Sequence, residues 1–137
     1  MPEFVLDLGD LDSRRAFHNL DSFTQGYVMA MFFTNTGTGD DGDLQDASFA
    51  ELAPETLATI IADCERFQRR NGYHLDGLAP DDEEKAGRDF WYTRAGHGCG
   101  FWDGDWPEPA ASDLTRASEE FPSLDLYRGD DRQLYLA

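Results

Sequence analysis

Apolar residues recur at helical spacing in two segments of the first half of the chain. The first runs from Phe23 to Phe33, where Ser22 and Gln25 form a capping-box pattern. The second begins at Pro54, and its inward stripe consists of Leu57, Ile60, Ile61, Cys64 and Phe67. The pattern therefore predicts two helices, of which the second is expected to end at Asn71-Gly72.

Weaker signals predict shorter helical segments. Asp12 and Ser13 are possible N-caps for a turn from Arg14 to Leu20, and Ser48 with Glu51 fits a capping box. After Pro80, the run Asp81-Asp82-Glu83-Glu84-Lys85 is typical of a polar first turn. Ser112 is the expected cap of a helix that carries Leu114, Ala117 and Phe121 and stops at Pro122.

Short aromatic runs broken by glycine follow Arg88. Residues 89–94 and 99–103, joined by Ala95-Gly96-His97-Gly98, predict a β-hairpin. Alternating leucines on either side of Gly129-Asp130-Asp131 predict a second hairpin over 124–136. We therefore expect one α+β domain over residues 1–137, with N-terminal helices packed on a small C-terminal antiparallel sheet of order ββαββ.

Charge changes this picture most. The chain has 28 acids and 11 bases, a net charge of −17, and no Lys or Arg between Arg15 and Arg66 or from Ala95 to Thr115. This balance argues against nucleic acid as a direct ligand. The apolar runs are too short for a membrane span and the N-terminus lacks the basic start of a secretion signal, so we expect a cytoplasmic protein. The two cysteines, Cys64 and Cys99, are expected to be free thiols.

Candidate chemistry is sparse. The acidic segment does not fit an EF-hand, because a loop starting at Asp40 places Gln45 where glycine is required. His97, Cys99 and His74 provide fewer than the four spaced ligands of a structural zinc site. No nucleophile elbow or cysteine-protease signature is present. The sequence therefore predicts no catalytic residue, no metal, no cofactor and no enzyme.

The distribution of acids indicates where a basic partner would bind. Duplex DNA carries one charge per about 1.7 Å of axis, which on a cylinder roughly 20 Å wide is near one charge per 100 Å² of surface. If 28 acids were spread evenly over a 15.4 kDa protein, their surface density would be too low to imitate DNA. Phosphate-like density requires clusters. The residues that we predict to bind a partner are Asp40, Asp41, Asp43, Asp46, Glu51, Asp81, Asp82, Glu83, Glu84, His97 and Trp106. Trp106, which precedes Pro107, is the aromatic residue of its region that we expect to be exposed.

The motif Asp89-Phe90-Trp91-Tyr92-Thr93-Arg94-Ala95-Gly96-His97-Gly98-Cys99-Gly100-Phe101-Trp102-Asp103 resembles one found in small acidic proteins of bacteriophages, plasmids and prophages. The runs 23–27 and 124–131 fit the same group, so the resemblance extends from Asp21 onward. The chain departs from the pattern at Ala95, where asparagine is expected, and at Cys99, where a small apolar residue is expected. The resemblance carries over no catalytic residue.

This resemblance implies a setting in which small acidic proteins disarm host defences by occupying the cationic channels of restriction or CRISPR effectors. The leading hypothesis is thus a phage-type inhibitor of a host nucleic-acid-targeting complex that has a basic surface. The alternative is an accessory protein of a mobile element whose acidity only confers solubility and which binds through the Gly96-His97-Gly98 segment and nearby aromatic residues. A small enzyme is the third possibility.

Overall fold

The computed structural model describes residues 5–36, 44 and 46–137. Six helices and two strands lie in this part of the chain, with a single 3₁₀ turn at Phe49–Glu51. The helices are α1 (Leu11–Asn19), α2 (Ser22–Thr36), α3 (Pro54–Arg70), α4 (Gly72–Leu75), α5 (Pro80–Ala95) and α6 (Ala110–Glu119), and the strands are β1 (Leu126–Arg128) and β2 (Leu134–Leu136). Within the described ranges, no helix combines the length and apolar character that crossing a membrane requires.

Helices α2 and α5 form the central contact of the fold. They approach so closely that a Cβ atom on Gly26 would lie 2.0 Å from the Glu84 carbonyl oxygen, and one on Gly87 would lie 1.8 Å from the Phe23 carbonyl oxygen. Only glycine, which has no Cβ, allows this backbone separation. Each helix therefore contributes one glycine to the same crossing point.

The contacts along α2 and α5 show that the two helices run in the same direction. Gly26 and Glu84 meet near the two helix starts, whereas Trp91 near the end of α5 donates its Nε1–H to Thr34 Oγ1 near the end of α2, at 2.9 Å. Since parallel neighbours need a long connection, the segment that contains α3 and α4 returns the chain from the end of α2 to the start of α5.

Helix α3 covers the aromatic side of this pair. Its Phe67 ring stacks on Phe90 of α5 with centroids 4.1 Å apart, and also lies 5.7 Å from Phe23 of α2. Phe101 and Phe121, which flank α6 in sequence, pack against the same ring. Burial of these large apolar surfaces is the main source of stability in a domain of this size.

The C-terminal hairpin is present as predicted. Strands β1 and β2 pair antiparallel with Leu126 opposite Leu136, and the turn between them contains Gly129-Asp130-Asp131. The hairpin is joined to α3 through the Leu134 carbonyl, which accepts hydrogen bonds from the Ala53 N–H and the Thr56 hydroxyl. Helices and a small antiparallel sheet thus confirm a mixed α+β fold, although the chain is mainly helical.

The predicted ββαββ order is wrong, because residues 89–103 do not form a hairpin. Residues up to Ala95 complete the 16-residue helix α5, of which the predicted polar turn at 81–85 is only the beginning. Gly96 then adopts a left-handed conformation with φ 78°, and the His97 N–H bonds to the Tyr92 carbonyl oxygen at 2.9 Å. Gly96 therefore terminates a helix, as glycine commonly does, and is not part of a hairpin turn.

Four helix ends also differ in detail from the sequence pattern. At α1 the cap is Asp10, whose side chain accepts the Ser13 N–H, and not Asp12 or Ser13. At α2 the cap is Asp21, whose Oδ1 accepts the Thr24 N–H, while the Gln25 side chain bonds to the Leu20 carbonyl. At α6, Ser112 lies inside the helix and is not its cap, and its N–H donates to the Glu108 carboxylate. Helix α3 does end at Arg70, but Asn71 has φ −118° and Gly72 begins α4, so no left-handed stop forms there.

The close crossing of α2 and α5 makes a prediction for stability. Glycine to alanine in a helix ordinarily stabilises by up to about 1 kcal/mol, but Gly87→Ala and Gly26→Ala would each force a methyl group against a backbone carbonyl. We expect each variant to lower the free energy of unfolding by about 1–3 kcal/mol, measured by urea denaturation. Gly98→Ala, whose Cβ would meet no atom within 4 Å, is the control and should change stability by less than about 0.5 kcal/mol. If Gly87→Ala and the control had equal stability, this result would contradict the close approach of the α2 and α5 backbones.

Candidate functional site

The predicted acidic loop is only partly described by the structure. Asp40, Asp41 and Asp43 lie outside the described residues, so their proposed role remains a prediction. Asp46 is described and exposed, just before the Ser48–Glu51 turn. Of the first predicted cluster, Asp46 is thus the one carboxylate whose surroundings are known.

Glu51 has a structural role that the sequence only half predicted. Ser48 and Glu51 form the expected capping box, with the Ser48 N–H bonded to Glu51 Oε1 at 2.8 Å. The carboxylate also binds Arg128 of β1, with Nη1 to Oε2 at 2.7 Å, and this guanidinium is 7 % exposed. Burial favours a higher pKa for Glu51, but the hydrogen bonds from Arg128 and Ser48 outweigh burial and lower the pKa. Glu51 is therefore already engaged within the fold.

The second acidic cluster forms the first turn of α5. Asp81 and Asp82 are exposed, Glu83 is half-buried, and Glu84 pairs with Arg88 one turn later at 2.7 Å. The positive end of the helix dipole stabilises carboxylates at this position. Because α2 and α5 are parallel, Asp21 at the start of α2 lies at the same end of the helix pair. The first turn of α5 therefore carries a cluster of carboxylates whose position has a structural reason.

His97 and Trp106 are less available than predicted. The half-buried His97 ring lies 6.2 Å from the Tyr92 ring, which is the contact that often accompanies this kind of helix terminus. Trp106 is also half-buried and donates its Nε1–H to Asp89 Oδ2 at 2.7 Å. The exposed tryptophan of this region is Trp102, with 52 % of its surface accessible, so the expectation that placed Trp106 outermost is wrong.

Asp89 is a buried carboxylate that the sequence pattern did not single out. Burial raises its pKa, and only part of this effect is offset by the hydrogen bond from Trp106. The Lys85 ammonium, 5.4 Å from the Trp106 ring, adds a cation–π contact to the same group. Together these contacts hold the 96–109 segment against α5.

Most of the bases form ion pairs within the protein, and two of these side chains are buried. Seven of the eleven pair with carboxylates: Arg66, Arg69, Lys85, Arg88, Arg94, Arg116 and Arg128. The Arg94 side chain is 3 % exposed, binds Asp63 at 2.8 Å, and donates to the Tyr27 hydroxyl and the Pro122 carbonyl. Burial raises the pKa of Tyr27, so its hydroxyl stays protonated beside Arg94. These bonds join α2, α3 and α5 to the segment after α6.

The acids face the solvent instead. The structure describes 24 of the 28 acids. Six of these 24 form ion pairs with bases, and the other 18 have no ion pair among the described residues. All of these 18 except Glu83 and Asp89 are exposed. Against them stand four exposed bases without an ion pair in the described part: Arg14, Arg15, Arg70 and Arg132.

A cleft of about 540 Å³ between α4 and α6 was not foreseen from the sequence. Inside it, His74 Nε2 lies 3.0 Å from Asp113 Oδ2, and this bond, followed by the pairing with Arg116, lowers the pKa of Asp113. His74 and Asp113 are 39 residues apart and no motif links them. Arg70 and Glu120 also line the cleft, so its charges nearly balance. We interpret the His74–Asp113 contact as a structural hydrogen bond that joins α4 and α6.

Neither thiol has the features of a reactive cysteine. Both are free, and burial raises the pKa of Cys64 strongly and that of Cys99 to a smaller extent. A thiol with a raised pKa is a poor nucleophile at neutral pH. Over the described ranges, no three His, Cys, Asp or Glu side chains come together in a way that would hold a metal ion.

Comparison of the chain with protein-family models, with curated proteins and with solved structures yields no match.

The structural role of Glu51 can be tested directly. Glu51→Gln removes the charge that binds the buried Arg128 guanidinium, and we expect a loss of about 1–3 kcal/mol in the free energy of unfolding. Asp46→Asn, which neutralises a neighbouring exposed acid, is the matched control and should remain within about 0.5 kcal/mol of the wild type. Urea denaturation of both variants gives the comparison, and an unchanged Glu51→Gln variant would refute the structural role.

Proposed function

We propose that this protein binds the cationic nucleic-acid-binding surface of a host defence complex, such as a restriction or CRISPR effector, and thereby inhibits it. Its exposed carboxylates would take the positions that phosphates otherwise occupy. The observation that carries the proposal is the excess of unpaired acids: seven of the eleven bases form ion pairs within the protein and four are exposed without one, whereas 16 exposed acids have no ion-pair partner among the described residues.

Charge density argues for a local contact rather than for the whole surface. The accessible surface is 7759 Å², so the 28 acids average about one per 280 Å², well below the density of duplex DNA. The first turn of α5 exceeds this average, because three acids occupy consecutive positions there. Asp21 at the same end adds to it. A partner that presents several arginine or lysine side chains in a groove is complementary to such a surface.

The proposed class of target also draws on the resemblance of residues 89–103 to the proteins of mobile elements. If the protein inhibits a defence complex by binding its basic surface, that binding explains why the protein is strongly acidic. The alternative, in which acidity only confers solubility, places binding at His97 and Trp106. The geometry favours it less, because both rings are half-buried and make contacts within the protein.

The proposal predicts salt-dependent inhibition. Titrated into cleavage reactions of purified restriction and CRISPR nucleases, the protein should inhibit at least one of them, and its affinity should fall about tenfold or more between about 50 and 200 mM salt. The fall is expected because each contact between a carboxylate and a base is screened by added ions. Inhibition that is indifferent to salt over this range would show that charge is not the basis of binding.

Charge-neutralising variants locate the contact. We expect the triple variant Asp81→Asn, Asp82→Asn, Glu83→Gln, and the quadruple Asn variant of Asp40, Asp41, Asp43 and Asp46, to weaken inhibition by at least about tenfold if their clusters hold several bases. Glu119→Gln, Glu120→Gln, Asp125→Asn is the control, since it removes three exposed charges elsewhere. Thermal unfolding followed by circular dichroism verifies that each variant is folded. Equal weakening by control and test variants would mean that only net charge matters.

A further inference from the structure

Trp102 differs from the other two tryptophans in what surrounds its ring. Trp91 and Trp106 both donate their Nε1–H to a side chain, and Trp106 also carries Lys85 over its face. Trp102 is 52 % exposed, and within the described ranges its Nε1–H makes no hydrogen bond and no cation lies over its ring. Its aromatic face is therefore available to a binding partner.

A cleft of about 330 Å³ lies beside this ring, between the 96–109 segment and α6. Its carboxylate comes from Glu108, which is held by two bonds from Ser112: the backbone N–H donates to Oε1 at 2.8 Å and the hydroxyl to Oε2 at 2.6 Å. These bonds also lower the pKa of Glu108, so it is ionised at neutral pH. The carboxylate is thus fixed in position before any ligand arrives.

Carboxylates outnumber bases in and beside the cleft. Its lining contains one acid, Glu108, and one base, Arg116, whose Nη2 bonds to Asp113 Oδ1 at 2.6 Å. Exposed Asp103 follows Trp102 directly, and the chain has no Lys or Arg from Ala95 to Thr115. An aromatic face next to a fixed carboxylate is complementary to a planar cation.

We infer that this cleft binds an arginine side chain of the basic partner, with its guanidinium stacked on Trp102 and bonded to the Glu108 carboxylate. The inference rests on the proposed function, because it assumes a partner rich in bases, and it adds which base is recognised. Arginine fits better than lysine because its guanidinium is planar, stacks on aromatic rings and donates in parallel to a carboxylate. The ammonium of lysine is a compact charge that is held more strongly by water.

Fluorescently labelled decapeptides of arginine and of lysine provide the test. At equal low salt, we expect the wild type to bind the arginine peptide about two- to fivefold more tightly than the lysine peptide. Trp102→Leu should abolish this preference, whereas Trp102→Phe, which keeps an aromatic face, should retain part of it. Tyr127→Leu removes another exposed ring, on the C-terminal hairpin, and should leave the preference unchanged.

The outcomes separate this inference from the proposed function. Equal, salt-sensitive binding of both peptides by the wild type, or an arginine preference that survives in Trp102→Leu, overturns the arginine cleft and leaves the carboxylate proposal standing. Failure of the wild type to bind either peptide at low salt overturns both. Loss of the preference in Tyr127→Leu as well would also refute the assignment to Trp102.

Discussion

The backbone contact between α2 and α5 is the constraint on which the remaining structure depends. With Gly26 and Gly87 at the crossing point, the two helices leave no room for side chains between them. The large rings of Tyr27 and Phe90 must therefore lie at the edges of the pair, where Phe67 of α3 stacks on Phe90. One pair of glycines thus determines where the aromatic core forms and on which side α3 packs.

The same arrangement explains why two arginine side chains are buried. Arg94 follows Phe90 by one turn of α5, so it reaches the edge of the aromatic core and is buried there, which requires Asp63 as its partner. Arg128 is buried in the same way against Glu51. Sixteen exposed acids have no ion-pair partner among the described residues, and their mutual repulsion opposes folding. The aromatic core must offset that repulsion for the surface to remain acidic.

Local signals predicted the parts of the fold that local interactions determine. The start of α3, the Ser48–Glu51 capping box and the hairpin at 126–136 follow from caps, turns and periodicity alone, whereas α3 ends at the predicted place without the predicted left-handed stop. The pattern of residues 89–94 predicts a strand wrongly, because aromatic residues favour strands only when they can pack within a sheet, whereas here they pack against α2. Gly96 fits a hairpin turn and a helix terminus equally well. No sequence motif predicts the His74–Asp113 contact, because the two residues are 39 positions apart. The positions of the acids can be read from the sequence, but which of them form ion pairs cannot.

The exposure of Trp102 follows from how its neighbours anchor the segment after α5. Phe101 is fully buried, its ring lies 5.9 Å from Phe67, and its N–H bonds to Thr93 Oγ1, which directs the next side chain outward. Trp106 fixes the other side of the segment through Asp89. Because the backbone is anchored on both sides of Trp102, a ligand that stacks on its ring would need to order little of this segment, so less of the binding energy would be lost to ordering. The contacts that hold Trp106 against α5 therefore also support the proposed recognition by Trp102.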